Sequence, residues 1–234
     1  MNVKSTDHLF SYILTDYPAP GGRGVTTMPQ FKKYFAASVR KRYPSNAESL
    51  LIELDKEFHI LLPDVKFAAS SSNPVDRRLI FCAYFLALIK VLENHGETFE
   101  QIRVVSLESV KEYVRPKNRF QDFLKKLPPR LIKFGVAKAL LRVLAKKVGT
   151  KGHPDGFVAT MIFDKQETYG LGYGVDILEC GICKLFNKHG YKKYASILCE
   201  VDEVTSNLAG LKLIRSGTIA NGASKCDFRY APLK

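Results

Sequence analysis

172-GYGVDILECGICKLFNKHGYKKYASILCEVDEVTSNLAGLKLIRSGTIANGASKCDFRY-230 is the stretch whose reading decides the fold. Tyr169 to Ile177 reads as a strand that ends at the first cysteines. Glu179 to His189 reads as a short helix stopped by Gly190. Tyr191 to Ala209 reads as a longer helix, with Tyr194, Ile197, Leu198, Val201 and Val204 at inward spacing and Gly210 as its stop. Leu211 to Ala220 and Cys226 to Tyr230 read as two strands joined by a turn centred on Gly222. Just upstream, Phe157 to Phe163 alternates well enough for one more strand. The last third is therefore expected to be a small antiparallel sheet with two helices packed on it.

Working outward, the pattern changes to helical period. Asn73-Pro74 opens a helix in which Ile80, Phe81, Tyr84, Leu88 and Val91 leave almost no polar side, so it belongs in the centre of the molecule. Gly96 ends it, and Thr98 is placed to cap the next helix, which runs to about Val114. Pro29 suits a first helical turn ahead of Phe31, Tyr34, Phe35 and Val39. Ser45 with Glu48 has the spacing of a capping box before Leu50, Leu51, Leu54 and Phe58. Pro116, Pro128 and Pro129 punctuate the chain before a basic amphipathic helix expected over about Arg130 to Val148. Its stripe is Ile132, Val136, Leu140, Val143 and Leu144. Residues 1–28 are rich in proline and glycine and read as irregular. The expected architecture is α+β. Helices over 29–152 pack against a cysteine-containing α+β region over 153–234, and the two form one compact domain.

Composition narrows the function classes. With 234 residues and 46% hydrophobic content, the chain can bury a substantial core. No stretch offers roughly 18 uninterrupted apolar residues, so no spanning helix is expected. Neither is a signal peptide. The formal net charge of +13 invites a nucleic-acid or anionic-membrane partner. The basic residues are scattered, however, apart from Lys125 to Lys151, which reads as a solvated helix face. With no aromatic–basic interleaving and no nucleic-acid module, neither nucleic acid nor membrane is expected as a partner. Five cysteines, an odd number without a secretion signal, point to a reduced, cytoplasmic chain. Four of them, Cys180, Cys183, Cys199 and Cys226, fall in the last quarter.

Three segments carry the chemistry. They are Cys180 in DILECGICKLF, Cys199 and Asp202 in SILCEVDEV, and Arg215, Thr218, Cys226 and Asp227 in LIRSGTIANGASKCDFRY. Cys199 and Asp202 are three apart on a helix and share a face, as do Cys180 and Cys183. If the segments converge, the pocket holds two or three thiols, a carboxylate and a hydroxyl. One chemistry is nucleophilic attack by Cys199 or Cys226, with Asp202 handling protons. The other is a zinc ion held by Cys180, Cys199 and Cys226, with water or Asp202 in the fourth position. The bland reading is that these thiols are small buried hydrophobes, as Cys82 is expected to be. It also makes Thr218 an ordinary strand residue. Strand parity sets Asp227 opposite Phe228, where it bonds to a turn or to solvent, and Arg215 is either a carboxylate clamp or a surface ion-pair partner.

The same three segments resemble the signature of the L-2-amino-thiazoline-4-carboxylic acid hydrolase family. The likeness is strongest over about Gly172 to Tyr230 and extends through NPVDRRLIFCAYFLALIKVLENHGETFEQI into the helical part. A shorter likeness links the Gly…Cys-x-Phe ending to four-vinyl-reductase-type small-molecule-binding domains. The first resemblance implies a hydrolase acting on a C–N bond other than a peptide bond. Its reaction is the opening of a small cyclic amidine or thiazoline carboxylate by water to a carbamoyl-cysteine. It implies Cys199, Asp202, Cys226 and Thr218 as catalytic and Cys180 and Arg215 as substrate-binding, with zinc as an open question. The second implies a non-catalytic small-molecule or metal sensor. The expected partner is a small-molecule substrate, with a homodimer left open.

Overall fold

A computed structural model describes residues 31–131, 135–169 and 171–233. The expectations for the segment before Phe31, including the Pro29 helix start, and for Ile132 and the side chains of Val136, Lys138 and Leu140, lie outside the described residues. Among those residues the chain forms eight α-helices, mostly in the N-terminal part, and one four-stranded sheet in the C-terminal part. The architecture is α+β.

Helices α1 (Lys32–Arg42), α2 (Ala47–Val65), α3 (Arg78–Asn94) and α4 (Phe99–Val114) form the helical body. The continuous apolar surface of α3 decides its place. From Leu79 to Leu92, all but Ile80 and Lys90 are buried, and α1, α2 and α4 wrap around it. An aromatic cluster locks the layers. Phe31 meets Phe81 edge-on at 5.4 Å, Phe35 meets Tyr84 at 5.2 Å, and Phe81 stacks on Tyr113 at 5.6 Å. Such pairs add about 0.5–1.5 kcal/mol each beyond area burial. Gly96, at φ +82°, ends α3 in the left-handed region that favours glycine. The Thr98–Gln101 capping box starts α4. The expected Ser45–Glu48 box does not form. Asn46 precedes α2 without a side-chain cap, and Glu48 instead pairs with Arg40 at 2.7 Å.

Helix α5 (Arg119–Leu131) corrects the reading of the prolines, because the helical backbone runs on through positions 128 and 129. Helix α6 (Gly135–Gly149) then packs on the sheet.

Strands β1 (Val158–Ile162), β2 (Gly174–Glu179), β3 (Leu211–Ile214) and β4 (Cys226–Pro232) lie in the order β1-β2-β4-β3, every neighbour antiparallel. Helices α7 (Gly181–Lys188) and α8 (Ala195–Leu208) connect β2 to β3, with a short 3₁₀ turn, Lys192–Tyr194, between them. The expected strand over Leu211 to Ala220 is shorter than read. Pairing stops at Ile214, and Ile219–Asn221 forms a 3₁₀ turn closed by Gly222 at φ +91°. The register sets Val175 opposite Phe228 and Ile177 opposite Cys226, so these four share one face. Asp176 and Arg229 share the other face, in a 2.8 Å ion pair.

Two side chains from the Ser71–Asp76 loop join the halves. The Asn73 amide donates to the carbonyls of Val148, Thr150 and Phe157, at 3.2, 3.2 and 2.9 Å. Asp76, fully buried, accepts from the Phe157 N–H at 2.7 Å and from the Ser71 hydroxyl. A Cβ on Gly156 would stand 2.6 Å from Asp76 Oδ1, so the link leading into β1 has to be glycine there. This loop holds the N-terminus of α3 against the sheet.

Candidate active site

A cavity of about 60 Å³ opens where α3, α6, α8 and the sheet meet. Val75, Val148, Ala159, Val175 and Ile177 give it apolar walls, while Phe228 and Tyr230 of β4 add aromatic ones. Its polar groups are Arg78, Asp202, Thr205 and Ser206.

Asp202 is the centre. It sits on the inner side of α8 with its side chain 15% exposed, deep enough that its charge needs partners. Arg78, the first residue of α3, provides one, at 2.9 Å from Oδ1. Arg215, just past β3, provides a second, with Nη1 3.7 Å from Oδ2. Arg215 is itself fixed, for Nη2 donates to the Cys199 carbonyl at 3.2 Å and the guanidinium lies 5.4 Å from the Phe228 ring centroid. Its Nη1 is buried and has no hydrogen-bond partner. The hydroxyls of Ser206 and Thr205 donate to the Asp202 carbonyl at 2.7 and 3.1 Å, which pins the backbone at that turn of α8.

The other sequence-derived residues surround this pair without lining the cavity. Cys199 lies one turn before Asp202, half-buried, with its thiol directed at the Ala195 carbonyl 3.9 Å away. Burial pushes this thiol up to about 12; the Asp202 charge adds to the rise, Arg215 opposes it, and Cys180 and Cys226 are near enough to contribute. Cys226 is buried and accepts from the Ile219 N–H at 3.2 Å; burial raises it to about 11. Cys82 is raised to about 12, again by burial. The neighbouring Cys183 thiol, together with burial, raises the Cys180 thiol well above the ordinary range. Thr218 is not a strand residue. Its buried hydroxyl accepts from the Asn221 N–H at 3.2 Å and caps the 3₁₀ turn. Asp227 accepts from the N–H groups of Ser216 and Gly217 at 3.0 and 2.9 Å.

Zinc does not fit this donor set. Among the described residues no three or more His, Cys, Asp or Glu side chains group closely enough to hold a metal ion. Two of the three sulfurs are engaged elsewhere, Cys199 with its own helix and Cys226 with a turn N–H.

The residue that the sequence reading missed is Arg78. A cation in the first turn of a helix opposes the helix dipole. Its presence there, at the start of an otherwise apolar helix, was a signal of a buried anion elsewhere. Thr205 and Ser206 carried no comparable signal.

The sequence from 77 to 230 matches the model of one protein family, described as L-2-amino-thiazoline-4-carboxylic acid hydrolase. That span takes in Arg78, Cys199, Asp202, Arg215 and the whole sheet, about two thirds of the chain. The chain belongs to the L-2-amino-thiazoline-4-carboxylic acid hydrolase family. No curated protein and no solved structure matches it. The family match ends at Tyr230, the last aromatic wall of the cavity, and begins one residue before Arg78, so it takes in every cavity-lining residue except Val75. No described helix is long and apolar enough to cross a membrane.

Proposed function

We propose that this member of the L-2-amino-thiazoline-4-carboxylic acid hydrolase family opens a small cyclic amidine or thiazoline carboxylate by hydrolysis of a ring C–N bond. The observation that carries the reading is the buried Asp202 between Arg78 and Arg215, with Arg215 Nη1 lacking a hydrogen-bond partner. A buried guanidinium N–H that makes no hydrogen bond, with Asp202 no nearer than 3.7 Å, can still donate a hydrogen bond to an added anion, and a substrate carboxylate supplies one.

In this reading Arg215 anchors the substrate carboxylate and Asp202 faces the reacting carbon. Water adds to the ring carbon between nitrogen and sulfur. Asp202 takes one proton from the water and passes it to the ring nitrogen as the C=N bond is hydrated, and the second follows from the new hydroxyl to that nitrogen as the carbonyl forms and the C–N bond breaks. The product is a carbamoyl-cysteine, one water heavier than the substrate. Arg78 pairs with Asp202 and orients it. Water is favoured over a thiol as nucleophile because Cys199 and Cys226, raised to about 12 and 11, carry almost no thiolate at neutral pH. Cys199, Cys226 and Thr218 then support the site from outside the cavity wall, as does Cys180 just after β2.

The test is to incubate purified protein with the aminothiazoline carboxylate and follow the product by mass. Appearance of the hydrated, ring-opened product supports the reading, and its absence at high enzyme concentration contradicts it. Arg215→Gln should raise KM by roughly 10- to 100-fold, the loss of a charged hydrogen bond, with a smaller change in kcat.

A further inference from the structure

Cys183 has no part in the hydrolytic reading and Cys180 only backs the site, yet the two share the first turn of α7. Cys180 is the N-cap of α7, and its backbone, at φ −103° and ψ 109°, is extended rather than helical. An N-cap residue in that conformation folds its side chain back over the first turn, toward the third helical position. Cys183 occupies that position. Cys183 is the neighbour that acts most strongly on the Cys180 thiol, which sets the two side chains close together.

The junction is held in place. A Cβ added to Gly181 would stand 3.0 Å from the Asp155 carbonyl oxygen and 3.1 Å from Leu79 Cδ2, so the first residue of α7 lies tight against α3. Residues three apart on a helix have Cβ atoms about 5–6 Å apart. A disulfide needs about 3.5–4.5 Å. The extended N-cap supplies most of that closure without unwinding α7. Both cysteines are only half-buried. The other three cysteines lie on α3, α8 and β4, and Cys82 and Cys226 are buried.

We propose that Cys180 and Cys183 form a redox-active dithiol that closes to an internal disulfide by exchange with a low-molecular-weight disulfide such as oxidised glutathione. One thiol, deprotonated to solvent, attacks the small disulfide and releases the first small thiol. The second cysteine attacks the mixed disulfide and releases another. Two protein thiols are oxidised, one small disulfide is reduced to two thiols, and the two protons leave with them. Cys180 ends β2, the strand that carries Val175 and Ile177 into the cavity, so the pair stands beside the candidate site. The proposal rests on the geometry of the pair alone and holds whether or not the chain opens a thiazoline.

The test uses the whole protein. After equilibration with oxidised glutathione, acid quenching and alkylation under unfolding conditions, tryptic peptides are weighed. Cys180 and Cys183 share the peptide 166–184, between the cleavage sites at Lys165 and Lys184. That peptide should become two hydrogens lighter and escape alkylation, while the peptides carrying Cys82, Cys199 and Cys226 remain alkylated. Cys183→Ser and Cys180→Ser each leave one thiol, and at least one of these variants should accumulate a glutathione adduct in the peptide. The proposal is overturned if the wild-type peptide stays doubly alkylated, if Cys180 is bridged to Cys199 or Cys226 instead, or if neither variant traps an adduct.

Discussion

Arg78 and Asp202 are 124 residues apart in the chain and 2.9 Å apart in the fold. Their side chains are only 16% and 15% exposed, so each charge depends on the other. Replacing Arg78 with Met would leave Asp202 with only the 3.7 Å approach of Arg215. Breaking a buried pair in this way costs about 3–5 kcal/mol. Urea unfolding should show a loss of that size for Arg78→Met, and a loss under 1 kcal/mol would mean that Asp202 is better solvated than its burial implies. At this scale the sequence was partly legible. Asp202 could be picked out because it stands three residues after Cys199 on one helix face, a local relation. Arg78 could not, because its partner is fixed only when α3 and α8 meet. Thr218 was misread because the strand containing it was drawn too long, and a hydroxyl one turn past Ile214 caps a 3₁₀ turn instead.

The connection from β3 to β4 closes the site, and Asp227 holds that connection by accepting from Ser216 and Gly217. Burial alone would raise its carboxyl, but the hydrogen bonds from the Ser216 hydroxyl and the two backbone N–H groups outweigh it and hold the group down to about 2. An unfolded aspartate titrates near 3.9. A folded value below the unfolded one gives stability that is full above about pH 4 and is lost as pH falls through 2. Asp227→Asn should therefore flatten the decline in melting temperature between pH 4 and pH 2. An unchanged slope would show that the carboxylate is not what holds the loop. Helices α3 and α4 and the ends of α7 and α8 were readable because apolar period, the Thr98 cap and the glycine stops agree. Helix α5 was not, since Pro128 and Pro129 read as breaks, yet the helical backbone passes through both positions.

Across the whole molecule, the α+β order of helices and then sheet follows from the change in apolar period after Gly156. The meeting of Val148, Val75, the sheet and α8 around one cavity follows from packing, which periodicity does not encode. The burial of three thiols is also a property of the assembled core, with Cys82 and Cys199 raised to about 12 and Cys226 to about 11. An unfolded thiol titrates near 8.5, and a folded value above it gives stability that is full below about pH 8.5 and falls as pH climbs through the folded values. Stability should therefore drop between pH 9 and pH 12, and Cys82→Ala should shallow that drop. An identical alkaline slope in the variant would place the cause elsewhere. The account as a whole depends on Asp202 acting on water within a site that belongs to this hydrolase family. The most direct measurement is the rate of aminothiazoline-carboxylate ring opening by Asp202→Asn beside wild type, with melting curves to confirm that the variant is folded. The account predicts turnover by the wild type and a loss of kcat of at least about 100-fold in the folded variant, the scale of a general-base contribution. Undiminished ring opening by Asp202→Asn would contradict it.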